Sequence, residues 1–218
     1  MSKTRPDERA LKVLFIGNSF TARNDLPGLV AALAAADGRK LVHRLISVGG
    51  ASLRTHWNKG EAQSEIQRGN YDRVVLQEQS TVPIKNPARM RENVLLFDQC
   101  IRDAGARTTL YMTWARRHAQ QTQKAITSAF TSIAEEIGAD VIPAGTAWKQ
   151  FLGKHPRIVL HDRDDSHPTL AGSYLAACVA FAVLFDRSPV GLCVNVDGLL
   201  SKDAKVLQKA AALNTPHA

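Results

Sequence analysis

The chain predicts a three-layer α/β/α sandwich around a central parallel sheet of about five strands. Three observations carry this. Short apolar runs alternate with helical segments along the chain. The first run, Lys12-Val13-Leu14-Phe15-Ile16, has no polar alternation, as expected of a parallel strand buried on both faces. The connections between runs are long enough to hold crossover helices.

The elements follow in order. The strand at 12–16 leads into Gly17-Asn18-Ser19-Phe20. A helix is expected from Leu26 to Ala36, with Asn24-Asp25 as N-cap and Asp37-Gly38 as stop. Leu41 to Ser47 reads as the second strand. Glu61 to Arg68 reads as a short helix ended by Gly69-Asn70. Asp72 to Gln77 is the third strand, and Ala88 to Ala104 a helix closed by Gly105. Arg107 to Trp114 is the fourth strand, and His118 to Ile137 a long helix closed by Gly138. Ala139 to Ala144 is a short fifth strand, followed by a short helix from Thr146 to Leu152. Thr169 to Phe185 is the last large helix, and a polar tail helix is expected from Ser201 to Leu213.

At 218 residues and 44% hydrophobic content, residues 1–218 fit one domain, with a core at about 11–190. The three cysteines, Cys100, Cys178 and Cys193, form no C-x-x-C pair, so neither a disulfide framework nor a structural zinc site is expected. The first residues, MSKTRPDERALK, lack the apolar segment of a secretory leader. The longest apolar stretch, Tyr174 to Phe185, is shorter than the ~20 residues that span a bilayer. A cytoplasmic protein with no membrane partner is expected. The net charge of +8 is spread along the chain, with a knot at Arg116-Arg117-His118. There is no basic stripe interleaved with aromatics, so a solvated basic surface is expected rather than a nucleic-acid partner.

In open parallel sheets, ligands bind beyond the carboxyl ends of the strands. There stand Gly17-Asn18-Ser19 after the first strand, Gly49-Gly50 after the second, Gln77-Glu78-Gln79-Ser80 after the third, and Thr113-Trp114 after the fourth. Asp162 to Pro168 precedes the last large helix. Together they supply a hydroxyl, backbone N–H groups beside glycines, side-chain amides, carboxylates and an imidazole, the inventory for attack on an acyl carbon. Each has a plainer reading: a loop serine, a glycine turn, glutamines tying the sheet end, and a helix start capped by Asp165 or Ser166 with Pro168 in the first turn. Asp162, Asp164 and His167 are also close enough in sequence to suggest metal ligands, but no further ligand clusters with them. A flavodoxin-like nucleotide binder is a third reading of the first turn, without a Walker lysine or repeated glycine fingerprint to support it.

Taken together and in order, these blocks resemble the SGNH hydrolases, also called GDSL-type esterases. Gly17-Asn18-Ser19 matches the first block, Gly50 the second, Gln77-Glu78-Gln79-Ser80 stands at the third, and Asp164-Asp165-Ser166-His167 matches the last. The resemblance runs over roughly residues 11 to 190. Asn18 stands where the family has Asp, and Gln79 where it has Asn, as in a branch with glutamine at block three. The resemblance implies Ser19 as nucleophile, His167 as base and Asp164 as its orienting carboxylate. It implies an oxyanion hole from the N–H groups of Ser19 and Gly50 and the amide of Gln79. Gln77, on the same face of an extended strand, is open as an alternative donor. Asn18, Gln77 and Trp114 are candidate substrate contacts, and His56 and His161 candidate pocket residues. No cofactor and no metal is implied. The expected partner is a small-molecule acyl ester, with an O-acetylated carbohydrate favoured. Trp57, Trp114 and Trp148 are either sugar platforms or core. An acyltransferase on the same site, and a binding protein that kept the fold without activity, remain open.

Overall fold

The computed structural model describes residues 9–214. Strands β1 (Leu11–Gly17), β2 (Leu41–Ser47), β3 (Arg73–Leu76), β4 (Arg107–Tyr111) and β5 (Asp140–Ile142) form a sheet in the order β2-β1-β3-β4-β5, with every pairing parallel. The register sets Val13 beside His43 and Arg73, and Ile16 beside Ile46 and Leu76. β1 is an interior strand and feeds both cores. Val13 and Phe15 point into one apolar cluster, Leu14 and Ile16 into the other, and all four are fully buried. Burial of each such side chain contributes about 1.5–3 kcal/mol before entropic costs.

Helices cover both faces. On the Phe15 side lie α2 (Leu26–Ala36), α8 (Ala144–Leu152), α9 (Leu170–Phe185) and α10 (Ser201–Ala212). α9 is apolar all round because α2, α8 and α10 surround it, which is the environment such a sequence needs. α10 packs one face inward: Ala204, Leu207 and Ala211 enter the core, and buried Gln208 donates to the Tyr174 hydroxyl at 2.9 Å. On the Leu14 side lie α3 (Leu53–Lys59), α4 (Glu61–Gly69), α6 (Pro87–Asp103) and α7 (Gln123–Ile137). Two short helices, α1 (Ser19–Ala22) and α5 (Val82–Lys85), stand at the carboxyl edge.

Several boundaries differ from expectation, for identifiable reasons. The strand expected at 107–114 stops at Tyr111, where its partner strands end; Met112 to Ala115 continue buried but off the ladder. The helix expected from His118 starts at Gln123, because Arg117–Thr122 is a 3₁₀ segment interrupted at Ala119. α3 was not expected; Ser52 caps it by accepting from Thr55 N–H at 3.2 Å. α9 is capped by Thr169, which accepts from Gly172 N–H at 3.2 Å, and not by Asp165 or Ser166. Among the described residues, no helix is long and apolar enough to cross a membrane.

The chain leaves β1 for β2 on one side and returns to β3 on the other. The strand order therefore reverses between β1 and β3, and the crevice beyond their carboxyl ends is where such sheets bind ligand.

Candidate active site

At that reversal β1 ends in a tight turn. Asn18 caps α1, its Oδ1 accepting from Phe20 N–H at 3.0 Å, so Ser19 is the first residue of a helix rather than part of a loose loop. The turn is locked from behind. Asn18 N–H donates to Gln77 Oε1 at 2.8 Å, Asn18 Nδ2 donates to Ala51 C=O at 2.9 Å, and Thr21 Oγ1 donates to Gln77 Oε1 at 3.0 Å. Gly17 is required by this packing, since a Cβ there would lie 2.6 Å from Gln77 Oε1.

Ser19 Oγ lies 2.7 Å from His167 Nε2, across 148 residues of sequence. His167 Nδ1 bonds Asp164 Oδ2, while Asp164 Oδ1 accepts from the N–H groups of Ser166 (3.0 Å) and His167 (2.9 Å). A carboxylate only accepts, so the Nδ1 atom carries the proton and the Nε2 lone pair faces the Ser19 hydroxyl. The His167 bond, then the two backbone N–H groups, hold the Asp164 carboxyl well below the usual carboxylate range. The arrangement has the parts needed to draw a proton from a hydroxyl and stabilise the resulting imidazolium.

The loop carrying Asp164 and His167 is fastened at several points. Asp165 adopts a left-handed conformation (φ 58°), and its C=O accepts from Arg117 N–H at 2.9 Å while its carboxylate pairs with the Arg117 guanidinium at 3.1 Å. Asp162 pairs with Arg23 at 2.5 Å, and its N–H donates to His167 C=O at 2.8 Å. Trp114 Nε1 donates to Ser166 C=O at 3.0 Å. Phe20 packs against both His167 and Trp114, with ring centroids 5.2 and 5.3 Å apart.

The other sequence candidates separate clearly. Gly50 adopts φ +67°, which a glycine accommodates without strain, in the turn between β2 and α3. Gln79 Oε1 accepts from Thr81 N–H at 2.8 Å and from Thr81 Oγ1 at 2.9 Å. A backbone N–H can only donate, so the amide orientation is fixed, and its NH₂ group has no hydrogen-bond partner among the described residues. Gln77, by contrast, is fully buried, and both ends of its amide are engaged within the protein, with Nε2 on Glu78 C=O. β3 ends at Leu76, so the two glutamines do not share a strand face as expected. Asn18 is likewise buried and engaged on both sides. Trp114 is 2% exposed and stacks on buried Trp148 at 3.7 Å, so its ring forms part of the core under the loop, not a surface platform.

His56 and His161 do not line an open pocket. Each is buried with Nε2 on a backbone carbonyl, His56 on Gly17 at 2.7 Å and His161 on Ala115 at 2.9 Å, and burial lowers both pKa values below the usual histidine range. They brace the turn that carries Ser19 and the segment leading to Arg117. Sequence reasoning gave Glu78 no role, yet it is 1% exposed and accepts from three donors at this edge. Its one signal was a charged residue directly following a buried strand.

Solved structures of similar shape place this architecture. A candidate SGNH hydrolase from Slackia heliotrinireducens superposes with a TM-score of 0.70 at 27% identity, covering 80% of this chain and 99% of its own. A DUF4886 family protein from Bacteroides uniformis gives a TM-score of 0.76 at 23% identity, covering 94% of each chain. An acetyl xylan esterase, AlAXEase, gives 0.64 at 16% identity, covering 79% of this chain and 98% of its own. No family model matches the sequence, and no curated protein matches it. The chain has the fold of the SGNH hydrolases, the superfamily that its sequence blocks resemble.

Proposed function

We propose that the protein hydrolyses a small acyl ester by a serine mechanism, with Ser19 as nucleophile, His167 as general base and then acid, and Asp164 as the carboxylate that orients the imidazole. The observation that carries the reading is the continuous chain from Ser19 Oγ through His167, at 2.7 Å, to Asp164. Attack of Oγ on the ester carbon passes its proton to His167 Nε2. The imidazolium then protonates the leaving alcohol, and water repeats the sequence in reverse on the acyl-enzyme. Negative charge on the carbonyl oxygen is received by the N–H groups of Ser19 and Gly50 and by the NH₂ group of Gln79.

A small acyl group, with an O-acetylated carbohydrate favoured, is supported by the acetyl xylan esterase among the structures of similar shape. The cytoplasmic setting belongs to the same proposal, supported by the free thiols of Cys100, Cys178 and Cys193. Turnover of p-nitrophenyl acetate by single and double variants tests the mechanism. Ser19→Ala and His167→Ala are each expected to abolish turnover, and the double variant to be no worse than either, because the pair acts as a unit. Activity above a few per cent in Ser19→Ala would refute it.

A further inference from the structure

We propose that Glu78 is a positioning residue that fixes the two halves of the oxyanion hole relative to each other, through a directional hydrogen-bond chain Arg54–Asn93–Glu78. This rests on the reading of the site above. The proposed donors come from two separate loops: Gly50 from the turn after β2, and Gln79 from the turn after β3. The sheet holds the ends of β2 and β3 on either side of β1, but the two strands do not pair with each other, so the turns beyond them are not joined by the ladder.

Glu78 spans the gap. Its Oε1 accepts from Leu53 N–H at 3.1 Å, three residues after Gly50 and at the start of α3, and from Gln79 N–H at 2.7 Å. Its Oε2 accepts from Asn93 Nδ2 at 2.7 Å, and Asn93 Oδ1 in turn accepts from Arg54 Nε at 2.9 Å. Glu78 and Asn93 are each 1% exposed, so water does not compete for these bonds. Every donor in the chain is a group that can only donate at that contact, which makes a carboxylate the matching acceptor at position 78. A buried network of this kind tolerates no half-satisfied member. Burial raises the Glu78 carboxyl above the usual range, although the bonds from Asn93, Gln79 and Leu53 oppose that rise.

The chain's direction supplies a specific test. In Glu78→Gln, the remaining oxygen stays on Leu53 and Gln79 N–H, and the new NH₂ group meets the NH₂ of Asn93. Asn93 cannot turn over without taking Oδ1 from Arg54. The two loops therefore shift, and kcat for p-nitrophenyl acetate is expected to fall about tenfold or more with KM changed by less than about twofold, as a small misplacement at a reacting centre does. Asn93→Asp alone sets two carboxylates together and is expected to lose activity too. Combining Glu78→Gln with Asn93→Asp exchanges amide and carboxylate, restores a donor for every acceptor at unchanged net charge, and is expected to return kcat to within about threefold of the natural chain. A merely space-filling role would not give that rescue.

A folded Glu78→Gln protein with full kcat, or a double variant no better than the single ones, overturns the proposal. Where Glu78→Gln does not fold, Asn93→Ala decides it: a loss of kcat at steady KM supports the chain, and full kcat overturns it. Fluorophosphonate labelling of the natural chain separates this from the site itself. Failure to label Ser19 overturns the serine reading and the role of Glu78 with it, whereas labelling together with full kcat in Glu78→Gln overturns the role of Glu78 alone.

Discussion

Replacing Gln79 and Gln77 by alanine, one at a time, separates two amides that sequence cannot tell apart. Gln79 holds Thr81 with its oxygen, and its NH₂ has no partner among the described residues, so truncation removes that donor together with the acceptor of two part-buried Thr81 groups. If that NH₂ meets the developing oxyanion, Gln79→Ala is expected to lower kcat by about 10²–10³, or roughly 3–4 kcal/mol, with little change in KM. Gln77 is fully buried, and its oxygen accepts from Asn18 N–H and Thr21 Oγ1. Gln77→Ala leaves both donors unpartnered and opens a cavity, which is expected to cost about 2–4 kcal/mol of stability. For a chain of this size that is a fall of roughly 5–15 °C in Tm. The discriminating pattern is thus low kcat with a small fall in Tm for Gln79→Ala, and a larger fall in Tm for Gln77→Ala. Gln79→Asn sharpens the test. It keeps an amide but shortens the side chain by about 1.5 Å, so it cannot hold Thr81 and reach the oxyanion together, and activity is expected between alanine and glutamine. Gln79→Glu keeps the Thr81 bonds and aims a negative charge at the oxyanion, so it is expected to be at least as harmful as alanine. Steady-state kinetics on one ester and thermal melts on the same samples read both axes. Full kcat in Gln79→Ala would refute the reasoning.

Two further expectations follow from the geometry. Asp164→Asn keeps the shape of the loop but places an amide against His167 Nδ1–H, so kcat is expected to fall about 10²–10⁴ while KM holds, measured on the same ester. Stability should depend on pH through His56 and His161, whose pKa values burial lowers from an ordinary 6.5. The unfolded chain then binds more protons than the folded one just below that value, so stability is expected to be full above about pH 6.5 and to fall as pH drops through the window beneath it. Thermal melts from about pH 8 to 5 check this; a flat profile would contradict it, and His56→Gln should remove part of the slope. The lowered pKa of Asp164 acts in a separate, more acidic window, where stability is lost as pH falls below its unfolded value of 3.8.

Much of the fold was legible because the burial pattern is simple. Lys12 to Ile16 reads as a doubly covered strand, and the apolar run Tyr174 to Phe185 reads as a central helix. Ser19, Gly50, Gln79, Asp164 and His167 stood out because each follows or precedes a recognisable element at one sheet edge. What sequence missed depends on tertiary contact. α3 is only seven residues long and leans on Ser52 and Glu78 for its start. The segment from Arg117 to Thr122 has helix-compatible residues, yet it is held in a 3₁₀ form where Arg117 reaches across to the Asp165 loop. Trp114 stayed open between a sugar platform and core because sequence does not report its contacts with Trp148 and Phe20. Glu78, Asn93 and His56 carry no periodic signal at all: their meaning lies in partners 15 to 39 residues away.

Covalent labelling with a fluorophosphonate, followed by mass mapping of the modified peptide, tests most directly whether Ser19 is the activated nucleophile. One modified site is expected, at Ser19, lost in Ser19→Ala and strongly slowed in His167→Ala, because the hydroxyl reacts only when a base takes its proton. No labelling of the folded protein, or labelling at another serine of the same edge such as Ser52, Ser80 or Ser166, would contradict it.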